Sequence, residues 1–222
     1  MANVEFYNEG FFHIYNRGVD KRTIFLDNED RGRFLLLMKI LNDANFKPQS
    51  AISKIQNFDI DNQKPYVRIM CYTLMPNHYH FLVEQLLDEG VSLFMGRLGN
   101  AYTKYFNEKH ERSGRLFESS FKAKGVKTDN YLLRLTRYIH LNLLDLIFPG
   151  WKTEGVADWS LASTFLDNCP WSSYQHYIEL HDDKIIDLGL LKGMIPSADK
   201  YQQYMQEWTD KTFSMIHPLA IE

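Results

Sequence analysis

The stretch Leu74-Met75-Pro76-Asn77-His78-Tyr79-His80-Phe81-Leu82-Val83 decides the fold, because it turns the chain and then begins a strand. Pro-Asn is a turn signal, and the run that follows is apolar apart from its two histidines. Side chains alternate between the two faces of a strand, so His78 and His80 share one face, about 6.5–7 Å apart at the backbone. Tyr79, Phe81 and Val83 take the opposite face, toward a core. Two imidazoles at this spacing can bind one metal ion.

Working outward from this hairpin, apolar periodicity and capping residues predict two elements before it and three after it. The predicted strands are 11–15, 66–74, 78–84 and 121–127, and the predicted helices are 28–44, 92–110 and 128–144. The first six elements follow the βαββαβ order of the ferredoxin-like fold. We therefore expect an α+β chain: an antiparallel sheet with helices on one face, and an extra helix after the fourth strand.

The composition changes beyond Pro149-Gly150, where the chain becomes acidic and rich in loops. The sequence therefore predicts a main domain over 1–148, in which the polar segment 45–65 is a loop or insertion. Residues 149–222 form an acidic C-terminal extension that packs on this domain.

Bulk composition excludes some classes of protein. The 222 residues are 45% hydrophobic, as in a globular domain, and no apolar run is long enough for a membrane span. Two cysteines, neither in a CxxC pair, and an N-terminus unlike a signal peptide favour a cytoplasmic location.

The net charge of −3 hides a basic centre. Residues 97–137 carry 10 Lys+Arg and 4 Asp+Glu, net +6, whereas 1–96 are net −2 and 138–222 are net −7. A local basic stripe is typical of a surface that binds nucleic acid. The candidate phosphate contacts are Arg17, Arg97, Arg115, Lys122, Lys124 and Lys127, although each one alone is more readily explained as solvated surface.

The last predicted helix supplies two more candidate site residues, Tyr138 and Asn142, which are four apart and therefore neighbours on one helical face. An amide oxygen is a ligand that Mg²⁺ or Mn²⁺ accepts, so Asn142 is a candidate third ligand beside His78 and His80. Tyr138 then lies one turn away as a candidate nucleophile for a phosphodiester. Tyr131, seven residues earlier, is the rival, but Leu135 takes the place of a ligand four positions on.

Several ordered blocks of this sequence resemble the single-tyrosine HUH transposases, close to the REP-associated tyrosine transposases and related insertion-sequence enzymes. The blocks are Phe12-His13-Ile14-Tyr15-Asn16-Arg17-Gly18, Tyr72-Thr73-Leu74-Met75-Pro76-Asn77-His78-Tyr79-His80, Phe94-Met95-Gly96-Arg97-Leu98, Gly114-Arg115-Leu116-Phe117-Glu118, Tyr131-Leu132-Leu133, Arg137-Tyr138-Ile139-His140-Leu141-Asn142 and, more weakly, Trp171-Ser172-Ser173-Tyr174.

This resemblance implies that 1–148 is an HUH transposase catalytic domain with bound Mg²⁺ or Mn²⁺. It implies recognition of single-stranded or hairpin DNA, and cleavage through a covalent 5′-phosphotyrosine that leaves a free 3′-OH. His78 and His80 match the histidine pair of the family, Tyr138 its nucleophile, and Asn142 its third ligand. The chain departs from many relatives at Leu143, where they have proline, and at Glu118-Ser119-Ser120-Phe121, where they carry a basic residue.

Two other functions stay open at this point. One is a domesticated DNA-binding protein that keeps the fold without transposition activity. The other is a metallohydrolase of small phosphoesters, which explains neither the tyrosine nor the basic stripe. The sequence also leaves open whether the site is built within one chain or shared in a homodimer.

Overall fold

The sheet of this protein has four antiparallel strands in the spatial order β2-β3-β1-β4. The structure is a computed structural model that describes residues 4–46, 63–182, 184–195 and 197–207. The strands are β1 (Phe11–Arg17), β2 (Val67–Met75), β3 (His78–Gln85) and β4 (Lys122–Val126).

Three main helices complete the domain: α1 (Asn28–Leu41), α2 (Gly90–Lys109) and α3 (Asp129–Leu141). Chain order and strand order together are those of the ferredoxin-like fold, as predicted. The capping signals are also confirmed. The Asp27 carboxylate accepts from the Asp30 N–H at the start of α1, and the Thr128 hydroxyl accepts from the Tyr131 N–H at the start of α3.

The sheet separates two hydrophobic cores, because side chains on β3 alternate as the sequence predicts. Tyr79, Phe81 and Val83 enter a core with α1 and α2. Leu82, on the opposite face, enters a core with α3 and the C-terminal residues. The two helices of the βαββαβ unit therefore lie on one face, and the extra helix α3 covers part of the other.

Short helices follow α3. A 3-10 turn over Asn142–Leu146 leads into α4 (Trp151–Glu154), α5 (Trp159–Asn168), α6 (Tyr174–Tyr177), α7 (Leu191–Met194) and α8 (Ala198–Glu207). Their buried residues join the α3 core, among them Trp151, Tyr174, Tyr177 and Tyr201. The division at residue 148 into a domain and an extension stays a prediction.

The predicted loop or insertion at 45–65 lies largely outside the described residues. Its two ends are paired, since Asp43 and Pro65 form a β-bridge and the Ala44 N–H donates to the Lys64 carbonyl. No helix in the described part of the chain has the length and apolar character needed to cross a bilayer.

Candidate active site

The two histidines lie at the start of β3, directly after the Pro76-Asn77 turn. In the sheet, His78 pairs with Arg17 and His80 with Tyr15 on one side. Their rings are neighbours on one face, with centroids 5.0 Å apart and planes at 83°. The shared face predicted from the HxH spacing is therefore present.

Hydrogen bonds set the tautomer of His78. The Asn77 amide nitrogen donates to the Lys21 carbonyl at 3.3 Å, which turns the amide oxygen toward the ring of His78. That oxygen lies 2.6 Å from Nδ1 of His78 and can only accept, so Nδ1 carries the proton. The free lone pair of His78 is therefore on Nε2.

His80 is oriented by His13, for which the sequence left open a place in the core or a contact with DNA. Nδ1 of His80 lies 3.0 Å from Nε2 of His13, and the two rings stack at 5.2 Å between centroids. One proton is shared between these nitrogens. When it is on His80, Nε2 of His80 is left with a lone pair, which is the arrangement in which a metal-binding histidine donates its other N–H to a second group. Nδ1 of His13 has no hydrogen-bond partner among the described residues.

All three imidazoles are held neutral. Burial, with the nearby cations Arg17 and Lys152, lowers the pKa of His78 to about 3. Burial and Lys124 lower the pKa of His13 to about 3. Burial also lowers the pKa of His80 well below its usual value, helped by His78 and His13. Neutral imidazole is the form that binds metal ions.

Tyr138 of α3 completes an aromatic and imidazole cluster over the sheet. Its ring centroid is 5.7 Å from that of His80 with the planes perpendicular, and 6.1 Å from that of His13. The side chain is 3% exposed. The rival Tyr131, near the start of α3, is half-buried, and its own burial, with the nearby Tyr15, raises its pKa. The structure thus brings Tyr138 to the histidines.

Asn142 follows α3 and is buried, but its amide is already engaged. Its nitrogen donates to the Tyr138 carbonyl at 2.8 Å, and its oxygen accepts from the ammonium of Lys152 at 3.2 Å. Lys152 also donates to Asp145 at 2.6 Å. The i, i+4 relationship of Tyr138 and Asn142 is therefore present as a side-chain to backbone hydrogen bond.

The histidine pair fits a divalent metal, whereas Asn142 fits only if Lys152 releases its amide oxygen. Each histidine presents an unprotonated Nε2 when its Nδ1–H donates a hydrogen bond, from His78 to Asn77 and from His80 to His13. The Asn142 oxygen instead accepts a hydrogen bond from the ammonium of Lys152. No cluster of three or more His, Cys, Asp or Glu that suits a metal occurs in the described part of the chain.

The six basic candidates are not all near this site. Arg17, Lys122 and Lys124 lie on β1 and β4 beside the histidines, and Lys122 is the sheet partner of Tyr15. Arg115 is exposed in the loop before β4, and Lys127 is exposed just after it. Arg97 lies on α2, across the sheet, where its guanidinium stacks on Tyr66 at 4.9 Å and donates to the Asp43 carbonyl. The structure therefore does not bring Arg97 to the histidines.

Comparison with known proteins shows a family similarity over part of the chain. Residues 47–142 match the IS200-like transposases. The matched range contains both histidines, Tyr138 and Asn142. No curated protein sequence matches the chain.

Two solved structures resemble this chain. One is a REP-associated tyrosine transposase bound to a REP hairpin, with 11% identity, a TM-score of 0.48, and coverage of 84% of this chain and 98% of that one. The other is a transposase candidate from Deinococcus radiodurans R1, with 14% identity, a TM-score of 0.34, and coverage of 63% and 95%. The fold assignment itself rests on the strand order.

Lys152 is a residue at this site that the sequence did not indicate. It lies ten residues beyond the matched range, on the short helix α4. No spacing rule links it to Asn142, because a 3-10 turn and a loop separate them. Its one signal in the sequence is a positive charge in a segment dominated by acidic residues.

Proposed function

We propose that this chain is a single-strand DNA endonuclease and strand transferase of the transposase type. The match of residues 47–142 to the IS200-like transposases supports the class of reaction. The observation that carries the proposal is the ring of Tyr138 packed perpendicular to His80, at 5.7 Å between centroids. A hydroxyl nucleophile beside a histidine pair that can bind metal is the arrangement that phosphodiester transfer requires.

In the proposed reaction, the Tyr138 oxygen attacks the phosphorus of one phosphodiester in the DNA strand. The P–O3′ bond breaks, the 3′ oxygen takes a proton and leaves as a hydroxyl, and the 5′ phosphate stays on the tyrosine. Attack by a second 3′-OH on that phosphorus releases Tyr138 and joins the strands. His78 and His80 would hold a Mg²⁺ or Mn²⁺ ion, which would supply charge stabilisation at the phosphate oxygens.

Asn77 and His13 have supporting roles in this proposal. Asn77 accepts a hydrogen bond from Nδ1–H of His78, and His13 accepts one from Nδ1–H of His80. Each bond fixes the orientation of the ring and leaves its Nε2 free. Such outer hydrogen bonds orient metal-binding rings and raise their basicity. We propose hairpin DNA as the substrate, by analogy with the family, and the cations on β1 and β4 as the groups that hold its backbone.

The test is an adduct assay with labelled hairpin oligonucleotides that carry single-stranded flanks. The protein is incubated with each oligonucleotide and Mn²⁺, then denatured in SDS. We expect a labelled band that survives SDS, is lost in Tyr138→Phe, and persists in the matched control Tyr131→Phe. An adduct that persists in Tyr138→Phe would refute this nucleophile.

One observation favours a second candidate, a DNA-binding protein without transposition activity. The Asn142 oxygen accepts from Lys152, so the third predicted ligand is occupied. On this second candidate the protein binds hairpin DNA in the presence of EDTA, yet no oligonucleotide in the series gives an adduct.

A further inference from the structure

A small pocket opens beside His78 at the carboxyl end of β1. Its volume is about 160 Å³, and its walls include Tyr15, Arg17, Lys21, His78, Glu118 and Lys122. Because His78 belongs to both, the pocket is continuous with the candidate active site. We call these six residues the β1–β4 pocket.

The β1–β4 pocket is built on a rigid frame. The loop before β4 is fastened to the end of β1 by two backbone hydrogen bonds, from Glu118 N–H to the Arg17 carbonyl and from Val19 N–H to the Leu116 carbonyl, each 2.9 Å. The buried amide of Asn16 donates to the carbonyls of Ser119 and Ser120, also at 2.9 Å. These bonds hold both walls in place without a ligand.

Gly18 is required for this close contact. A Cβ atom at this position would lie 2.3 Å from the Arg22 carbonyl oxygen. The backbone between Arg17 and Lys21 can therefore approach Arg22 this closely only with glycine at position 18.

The charges of the pocket favour an anion on one side. Arg17, Lys21 and Lys122 give three positive charges, and Glu118 gives one negative charge. Lys122 lies 3.5 Å from Glu118 and is partly neutralised by it. Nε of Arg17 is buried and has no hydrogen-bond partner among the described residues. A buried guanidinium N–H without a partner is costly, so this wall is complete only when an acceptor binds.

The opposite wall is aromatic and polar. Tyr15 is half-buried, and burial raises the pKa of its phenol, which therefore stays neutral. Its ring lies nearly parallel to that of His80, at 27° and 6.1 Å between centroids. Glu118 accepts hydrogen bonds but cannot donate them, so it repels phosphate and attracts the amino group of a base.

We propose that the β1–β4 pocket binds one nucleotide of single-stranded DNA, adjacent to the phosphodiester that meets Tyr138. Arg17 and Lys21 hold its phosphate, the base stacks on Tyr15, and Glu118 accepts from an exocyclic amino group. The site therefore prefers adenine or cytosine to thymine, whose exposed edge has no amino group. This proposal rests on the proposed function for the identity of the substrate, but its test does not require cleavage.

The test measures equilibrium binding of fluorescein-labelled dA12, dC12 and dT12 in EDTA over a series of salt concentrations. Loss of one phosphate contact lowers the salt slope by about 0.7. We expect Arg17→Gln and Lys21→Ala each to lower the slope by this amount and to weaken binding about fivefold at 0.1 M salt. Lys104→Ala, which removes an exposed lysine on α2, is the matched control and should change neither quantity.

Two further variants examine the base side. Tyr15→Leu should weaken binding roughly 5- to 150-fold with an unchanged salt slope, because stacking is lost and no charge is removed. Glu118→Gln should reduce the preference for dA12 and dC12 over dT12, because an amide both donates and accepts.

The outcomes separate this proposal from the reaction. Salt slopes of Arg17→Gln and Lys21→Ala equal to that of Lys104→Ala would overturn the phosphate site. Equal affinities of the unmodified protein for all three oligonucleotides, or an unchanged preference in Glu118→Gln, would overturn the base site. Failure of the Tyr138 adduct assay refutes the cleavage reaction but leaves these binding results intact.

Discussion

The ammonium of Lys152 lies 3.2 Å from the amide oxygen of Asn142, the oxygen that the family resemblance assigns to a metal ion. Lys152 is also held by Asp145 at 2.6 Å, and its charge helps to lower the pKa of His78 and His80. A positive side chain thus stands among the residues that were expected to hold a positive ion. This relationship distinguishes two roles for Asn142, as metal ligand or as anchor of Lys152.

Lys152→Met should strengthen binding of Mn²⁺ about tenfold. The change removes a like charge near the site, worth about 1 kcal/mol for a pair at 4 Å in high dielectric, and releases the Asn142 oxygen. The apolar stem is kept, whereas the contact of the ammonium with the Trp151 ring is lost. Titration followed by the EPR signal of free Mn²⁺ measures the affinity. The exposed Lys200→Met serves as control, and weaker Mn²⁺ binding by Lys152→Met would show that Lys152 supports the site.

His13→Phe should weaken Mn²⁺ binding by about 10- to 100-fold, the usual effect of losing a hydrogen-bond partner behind a metal-binding histidine. The phenyl ring fills the same space but cannot accept the Nδ1 proton of His80. His181→Phe, at an exposed position, is the comparison. Thermal unfolding of both variants shows whether the fold is kept. Unchanged Mn²⁺ affinity in a folded His13→Phe protein would remove this role.

Acidification should destabilise the protein through its buried histidines. His13, His80 and His140 are all buried, and burial lowers the pKa of each in the folded chain. The unfolded chain takes up protons near pH 6.5 and the folded chain does not, so stability is full above this pH and falls below it. Each histidine should contribute a loss of about 1 kcal/mol between pH 7 and pH 5.5.

Urea unfolding at pH 7 and pH 5.5 measures this loss. His140→Leu should reduce the stability lost between pH 7 and pH 5.5 by about 1 kcal/mol, the contribution of one histidine. This difference is independent of the effect of the substitution on stability at pH 7. Equal losses in the variant and the unmodified protein would contradict the assignment.

Tyr177→Phe should lower the free energy of unfolding by about 1–2 kcal/mol. The hydroxyl of Tyr177, in the C-terminal part, donates to the Met70 carbonyl of β2 at 2.8 Å, and both groups are buried. Urea unfolding should show one transition shifted to lower urea, because the C-terminal residues and the sheet share a core. Tyr7→Phe, at an exposed position, should leave the midpoint unchanged. A first transition in Tyr177→Phe that leaves the sheet folded would show that the two parts unfold separately.

Local patterns predicted most of the fold. Alternation along His78–Val83 gave the two faces of β3, and the capping residues at Asp27 and Thr128 gave the starts of two helices. These signals are short-range, since each depends on residues within one or two turns. The four-residue spacing of Tyr138 and Asn142 belongs to the same class.

Contacts between distant segments were not predictable in this way. The pairing of His13 with His80 depends on the register of β1 against β3, which a single sequence does not contain. Lys152 reaches Asn142 through a turn whose course is set by Trp151 packing in the core. The charge of Arg97 made it a candidate phosphate contact. Charge alone does not show that α2 packs on the face of the sheet opposite to the histidines.

The burial of Tyr138 has a kinetic consequence. Only 3% of Tyr138 is exposed, so in this conformation a phosphodiester cannot reach it from solvent. On the proposed function, a DNA strand meets the tyrosine only after a local opening of the segments packed on α3, such as α4, which carries Lys152. The observed rate constant is then the equilibrium constant for opening multiplied by the rate constant of the chemical step. Each 1.4 kcal/mol needed for opening therefore slows the reaction about tenfold. Low urea, far below global unfolding, should accelerate such a reaction before it inhibits it.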